Sequence, residues 1–110
     1  GFVWIEGRVS DMVNRGGFKV FPAEVEEVLL SSPAVADVAV VGQPDDRLGE
    51  VPVAFVVAAP GVAPSSDGLS DYCRAHLAPY KVPVRFEVVD ALPRNEVGKV
   101  LKAVLRGSHA

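Results

Sequence analysis

Apolar and polar positions alternate along this chain with two different periods. FVWIEGR puts Phe2, Trp4 and Glu6 on one side of an extended segment, which predicts a short strand entering a turn at Gly7. MVNRGGFKVF predicts two short extended pieces folded back about Gly16-Gly17, a hairpin signal. In PAEVEEVLLSS the period lengthens to that of a helix, with Val25, Val28 and Leu29 on one stripe. Pro22 suits a first helical turn, and Glu24, Glu26 and Glu27 suit the positive end of a helix. Ser32-Pro33 stops the run.

The valine-rich segments VADVAVVG and VPVAFVVA read as strands, and QPDDRLGE between them reads as a loop. So short a connection predicts antiparallel neighbours. PGVAPSSDG has surface-loop composition. LSDYCRAHLAPY follows as an amphipathic helix with Leu69, Tyr72, Cys73, His76 and Leu77 on one side. VRFEVVD predicts a third strand and VLKAVLRG a short last helix. The fold class is therefore α+β. One domain over residues 1–110 would hold a small, mostly antiparallel three-stranded sheet, helices packed on it, and an N-terminal two-stranded hairpin.

Composition narrows the possibilities without naming a function. Of 110 residues, 49% are hydrophobic and 23% charged, ordinary values for a folded domain. A net charge of -3 argues against nucleic acid as a partner, because phosphate binding needs a basic excess. Cys73 is the single cysteine, which rules out an internal disulfide or a cysteine-built zinc site and suits a reducing, cytoplasmic setting. The run AFVVAAPGVA is too short, and too broken by proline and glycine, for a membrane span. Gly1 in place of methionine suggests a piece of a longer protein, and residues 107–110 resemble a tag remnant.

Most candidate chemistry favours a structural reading. His76 and His109 lie far apart; His76 falls on the apolar side of its helix, where a core or boundary histidine is the better reading, and no metal set completes around it. Cys73 shares that side and reads as buried. Glu24-Glu26-Glu27 reads as a solvated helix face, and Asp45-Asp46 as a turn. VGKV fails as a phosphate loop, since Pro93 stands where a glycine is needed and Val100 where Ser or Thr is needed. From the residues alone, Lys99 is open between a solvated surface lysine and a cation delivered into a cleft.

Four phrases together resolve more. GRVSDMVNRGGFKVFPAEVEEVL, VVGQPDDRLGEVPVAFVV, LAPYKVP and LPRNEVGKVLKAVLR resemble, in order and spacing, the C-terminal domain of the adenylate-forming enzymes, and among them the acyl-CoA synthetases. Peptide-synthetase adenylation domains, which load a carrier protein, are the runner-up, and a non-catalytic binding module of the same fold is a further alternative. The resemblance implies a ligase acting in two steps, joining a carboxylic acid to ATP as an acyl-adenylate and then to coenzyme A. A large N-terminal domain would hold the acid and nucleotide pockets and Mg2+, and this small domain would swing over it as a lid. Lys99 matches the adenylation lysine and Gly98 the glycine before it. Arg8 matches an arginine beside the AMP ribose. Ser10 occupies the hinge position, where Asp or Lys is usual, and Asp11 follows it, residues 1–10 ending the linker. Gly16 and Gly17 match the turn beside the pantetheine arm, and Lys19 a basic position near phosphate. Lys99 also stands where relatives are switched off by a lysine acetyltransferase.

Overall fold

The computed structural model describes residues 12–107. Arg8, Ser10 and Asp11, the strand expected over FVWIEGR, and His109 lie outside the described residues. β1 (Val13–Arg15) and β2 (Phe18–Val20) form the expected hairpin, followed by α1 (Pro22–Leu30), β3 (Val35–Asp45) and β4 (Gly49–Ala58). α2 (Ser66–His76), a 3-10 turn (Pro79–Lys81), β5 (Arg85–Val89) and α3 (Lys102–Gly107) complete the order.

The β3–β4 pair is the spine. Its antiparallel ladder runs from Val35 opposite Ala58 to Asp45 opposite Gly49. QPDDRLGE therefore contributes to both strands, leaving Asp46-Arg47-Leu48 as the connection. Asp45 turns the chain: its Oδ2 accepts the N–H groups of Arg47 (3.1 Å) and Leu48 (2.8 Å), the side-chain mimicry that makes aspartate a turn residue. β5 pairs β4 in parallel, and the N-terminal hairpin joins the sheet through Arg15 opposite Gly49. The α+β architecture stands, but the hairpin is stitched to the other three strands, so the sheet has five.

Both faces of the spine are covered, which explains its unbroken apolar sequence. Val38, Val40, Ala54 and Val56 pack on one side with Val25 and Leu29 of α1 and Leu69 and Cys73 of α2. Ala39, Val41, Val53 and Phe55 face the other side, where Leu92, from the segment after β5, and Leu105 of α3 cover them. The layers are helices, sheet, then the C-terminal segment. α2 starts earlier than the hydrophobic stripe implies, because Ser65 Oγ accepts the Gly68 N–H at 3.0 Å and caps the helix inside the expected loop.

Helix α1 is bound to its surroundings by charge as well as by packing. Glu24 pairs with Lys81 of the 3-10 turn at 3.0 Å. Glu26 Oε2 accepts the Val40 N–H at 2.8 Å and meets Lys102 of α3 at 2.9 Å, with both side chains mostly buried. That N–H lies on the side of β3 away from β4, so the carboxylate satisfies a ladder donor that no strand reaches among the described residues. The solvated-face reading thus holds for Glu24 and Glu27, which are exposed, and fails for Glu26, which is mostly shielded. An eleven-residue window of α1 contains no sign of partners 57 or 76 positions away.

Replacing Phe55, which is 2% exposed, by alanine is expected to lower unfolding free energy by about 3–5 kcal/mol in urea titration. Replacing Val97, 85% exposed, by alanine should change it by less than about 0.5 kcal/mol.

Candidate active-site loop

Residues 93–101 form a closed loop between β5 and α3. Its two ends meet as an antiparallel bridge between Arg94 and Val100, and the Leu101 N–H donates to the Pro93 carbonyl at 2.8 Å. Asn95 organises the interior. Its backbone N–H donates to the Lys99 carbonyl and its own carbonyl accepts the Gly98 N–H, each at 3.0 Å. Its side-chain Oδ1 accepts two more N–H groups, from Val97 (3.1 Å) and Lys99 (3.0 Å). Gly98 has φ +88°, a conformation that side chains disfavour, and nothing surrounds the place a Cβ would take. Gly98 is therefore required by backbone geometry, not by crowding. The backbone of Lys99 is held on both sides while its side chain is exposed.

Arg94 fastens this loop to the sheet. Its Nη1 donates to the Gly98 carbonyl at 2.6 Å, and its Nη2 forms a short ion pair with Asp37. Asp37 is presented by a β-bulge: Val35 opposes Ala58 and Asp37 opposes Val57, with Ala36 extra. Such a bulge re-aims the side chains next to it. The second Asp37 oxygen accepts the Val38 N–H at 2.9 Å. On the far side of the loop, the Lys102–Glu26 pair fixes the first residue of α3 to α1. Sequence reasoning missed Arg94, Asn95, Asp37 and Glu26. The available signal was an asparagine and an arginine just ahead of a glycine-lysine pair, a loop-stabilising composition.

The glycine pair divides into two roles. Gly16 has φ +59° and Gly17 φ +93°, the two positive values a two-residue hairpin turn requires. A Cβ on Gly16 would lie 2.9 Å from Leu48 Cδ2, and its N–H donates to the Leu48 carbonyl at 2.8 Å, so this glycine seats the hairpin on the β3–β4 turn. Gly17 faces open space instead. Lys19 is exposed on β2, opposite Asn14. Lys99 and Gly17 are not brought together. The lysine loop is pinned at Asp37 and the glycine turn beside Leu48, near opposite ends of β3. The eight residue steps of strand from Asp37 to Asp45 put these two anchor points roughly 25 Å apart.

The other candidates take structural places. His76 is exposed, in contrast to the core or boundary position its stripe implied: its ring lies 4.6 Å from that of Tyr72, and Nδ1 reaches the Tyr72 carbonyl at 2.9 Å. Cys73 is fully buried, and burial pushes its thiol pKa up to about 11. The hydrogen bond from Lys81 to Glu24 raises the lysine pKa and keeps the ammonium charged. Among the described residues no group of three His, Cys, Asp or Glu side chains could hold a metal ion, and no helix is long and apolar enough to cross a membrane.

The sequence and fold that carry this lysine loop and glycine hairpin are similar to those of known proteins. The family model described as the AMP-binding enzyme C-terminal domain matches residues 24–99, and the chain belongs to that family. It is 51% identical over 106 residues, 96% of the chain, to a methyl-dioxo-octahydroindenyl-propanoyl:CoA ligase of Rhodococcus jostii (strain RHA1), of which it covers 21%. It is 47% identical, again over 96% of the chain, to the fatty acid–acyl-carrier-protein ligase ScoC of Streptomyces coeruleorubidus, covering 20% of that protein. A solved Mycobacterium tuberculosis fatty acyl CoA synthetase superposes with TM-score 0.87 at 43% identity, over 93% of this chain and 20% of that one. The chain thus spans about a fifth of the length of the relatives it matches.

Cys73 provides a check on the packing. Its folded pKa lies above the thiol's ordinary value of 9.0, so burial of the neutral thiol favours the folded state fully below about pH 9, and that contribution drains away as pH rises towards 11. Stability should fall by roughly 2–3 kcal/mol across that window, and a Cys73→Ala variant should lack this component of the decline. At pH 8 the folded thiol should resist iodoacetamide, reacting only in denaturant.

Proposed function

We propose that this chain is the mobile C-terminal lid of an acyl-CoA synthetase, acting in a longer polypeptide on ATP, a carboxylic acid and coenzyme A. The observation that carries the reading is the placement of two different features near opposite ends of one sheet. A lysine on a pinned loop occupies one end and an unobstructed glycine turn the other. A rigid body with its ends roughly 25 Å apart can offer only one of them to a single cleft at a time, so two steps call for two orientations.

In the first orientation Lys99 enters the cleft of the N-terminal domain. The acid carboxylate and the α-phosphate of ATP repel one another, and negative charge shifts among the phosphate oxygens as the acyl–phosphate bond forms and pyrophosphate leaves. An ammonium fixed beside them offsets that repulsion and stabilises the transition state, an effect of about 10²–10³ in rate for one such donor. Closure of the loop by Asn95 means that little backbone ordering remains to be done when the lid shuts. No proton transfer is asked of the lysine. Arg8 is assigned to the ribose of AMP, and Ser10 with Asp11 to the hinge, on the resemblance alone.

In the second orientation Gly17, with Lys19 nearby, flanks the thiol-bearing arm. A missing side chain leaves width for a pantetheine chain, and an exposed cation suits its phosphates. Magnesium, needed to gather the triphosphate, would be bound by the N-terminal domain. A carrier protein in place of coenzyme A is the second reading, favoured by the acyl-carrier-protein ligase among the relatives. Both acceptors present the same pantetheine, so the lid is suited to either. Acetylation of Lys99 would remove the charge the first step uses, giving an acetyltransferase a means of control.

Lys99→Ala in the full-length protein is expected to slow acid-dependent ATP–pyrophosphate exchange about 10²- to 10³-fold while leaving thioester formation from supplied acyl-adenylate near normal. Equal losses in the two assays would contradict the assignment. Gly17→Ala should show the reverse bias, an approximately tenfold larger loss in the thioester step than in exchange, together with a lower melting temperature because φ +93° strains any side chain. Gly16→Ala should chiefly lower the melting temperature, because its Cβ meets Leu48.

A further inference from the structure

Lys99 is held by main-chain bonds inside its loop, but those bonds do not say where the loop points. Val100 packs against the sheet at the loop's end, and the polar tie from the loop's Lys99 turn to the sheet, among the described residues, is the Arg94 guanidinium. Arg94 donates through Nη1 to the Gly98 carbonyl, the peptide oxygen immediately before Lys99, and through Nη2 to the Asp37 carboxylate. The fork geometry matters here, because one planar group serves two acceptors in fixed relative positions. Asp37 is itself immobilised, standing at the β-bulge with its other oxygen on the Val38 N–H. A chain of contacts therefore runs from the sheet backbone through Asp37 and Arg94 to the lysine's own peptide.

We infer that Arg94, held by Asp37, is a positioning residue for Lys99, setting the direction in which the ammonium is presented during acyl-adenylate formation. The inference rests on the adenylation role proposed for Lys99 and deepens it. A purely structural purpose explains the arrangement less well. Arg94 is 41% exposed and Asp37 33%, and ion pairs that wet add little to stability. The loop closes without Arg94 through the Asn95 bonds and the Pro93–Leu101 bond. What the guanidinium adds is orientation of a loop that already has its shape. A misplacement near 1 Å of a group acting in the transition state costs up to about 10² in rate.

The test is a double-mutant cycle in the full-length protein: wild type, Arg94→Gln, Lys99→Ala and the double variant, each assayed for ATP–pyrophosphate exchange and for thioester formation from supplied acyl-adenylate. Arg94→Gln should lower kcat for exchange roughly 10- to 100-fold, leave the KM for ATP within about twofold, and leave the thioester step intact, which also reports that the lid is folded. In the Lys99→Ala background the same change should have almost no further effect, since it acts through that lysine. Arg94→Lys, which keeps the charge but loses the fork, should recover only part of the rate. Equal loss of both half-reactions, no loss of exchange, or an undiminished loss when Lys99 is already absent would each overturn the positioning role. If Lys99→Ala itself left exchange unchanged, the adenylation assignment would fail and this inference with it. If Lys99→Ala is slow but Arg94→Gln is not, only the inference fails.

Discussion

Burial of the β3–β4 ladder on both faces is the constraint from which the rest of this domain follows. Val38, Val40, Ala54 and Val56 face one layer, and Ala39, Val41, Val53 and Phe55 the other. A sheet packed from both sides is stiff, because each set of side chains interlocks with its own layer and a slip of one residue would have to repack both. This stiffness lets the strand from Asp37 to Asp45 act as a fixed spacer between the lysine loop and the glycine turn. Phe55 and Leu105 matter for function in this indirect sense, since they bind the C-terminal segment, and the loop it carries, to the spine.

Charge then does what apolar packing cannot. Apolar contacts do not fix direction, and the lysine loop lies beyond the core, where all residues from Arg94 to Lys99 are exposed. Arg94 on Asp37 and Lys102 on Glu26 hold the two flanks of the loop to different elements. The two pairs differ in setting: the Lys102–Glu26 pair is largely shielded and shares its carboxylate with a strand N–H, whereas the Arg94–Asp37 pair is wetter. The shielded pair belongs to the architecture. The wetter one has more to do with aim.

Much of this was legible in the sequence, and the divisions have physical causes. Hairpin, helices and valine strands follow from local rules acting over a few residues: paired glycines for a tight turn, Pro22 at a helix start, β-branched runs in strands. Local rules fail where a distant partner decides. QPDDRLGE looks polar and loop-like, yet its two ends pair with one another as strand once the valine ladders set their register. Glu26 looks solvated until Lys102 arrives from far along the chain, and Glu24, which stays exposed, finds Lys81 in the same way. His76 shares the predicted stripe with Cys73 but falls on its flank, and the next residue, Leu77, takes the buried place. Lys99 was ambiguous by composition and acquired meaning from its motif context, while the groups that hold it, Asn95, Arg94 and Asp37, required coordinates.

The account stands on one claim: a stiff body presents its two ends to the same cleft in turn. A distance measurement addresses it directly. A spin label on Val97→Cys, beside Lys99 and 85% exposed, can be paired with a label on the N-terminal domain of the full-length protein, Cys73 staying silent because it is buried. Pulsed dipolar spectroscopy should give a short distance with ATP and a non-reactive acid analogue. It should give one longer by roughly 20 Å with an acyl-adenylate analogue and coenzyme A, of the order set by the strand-length separation of the two ends. A single unchanged distance in both states would contradict the claim.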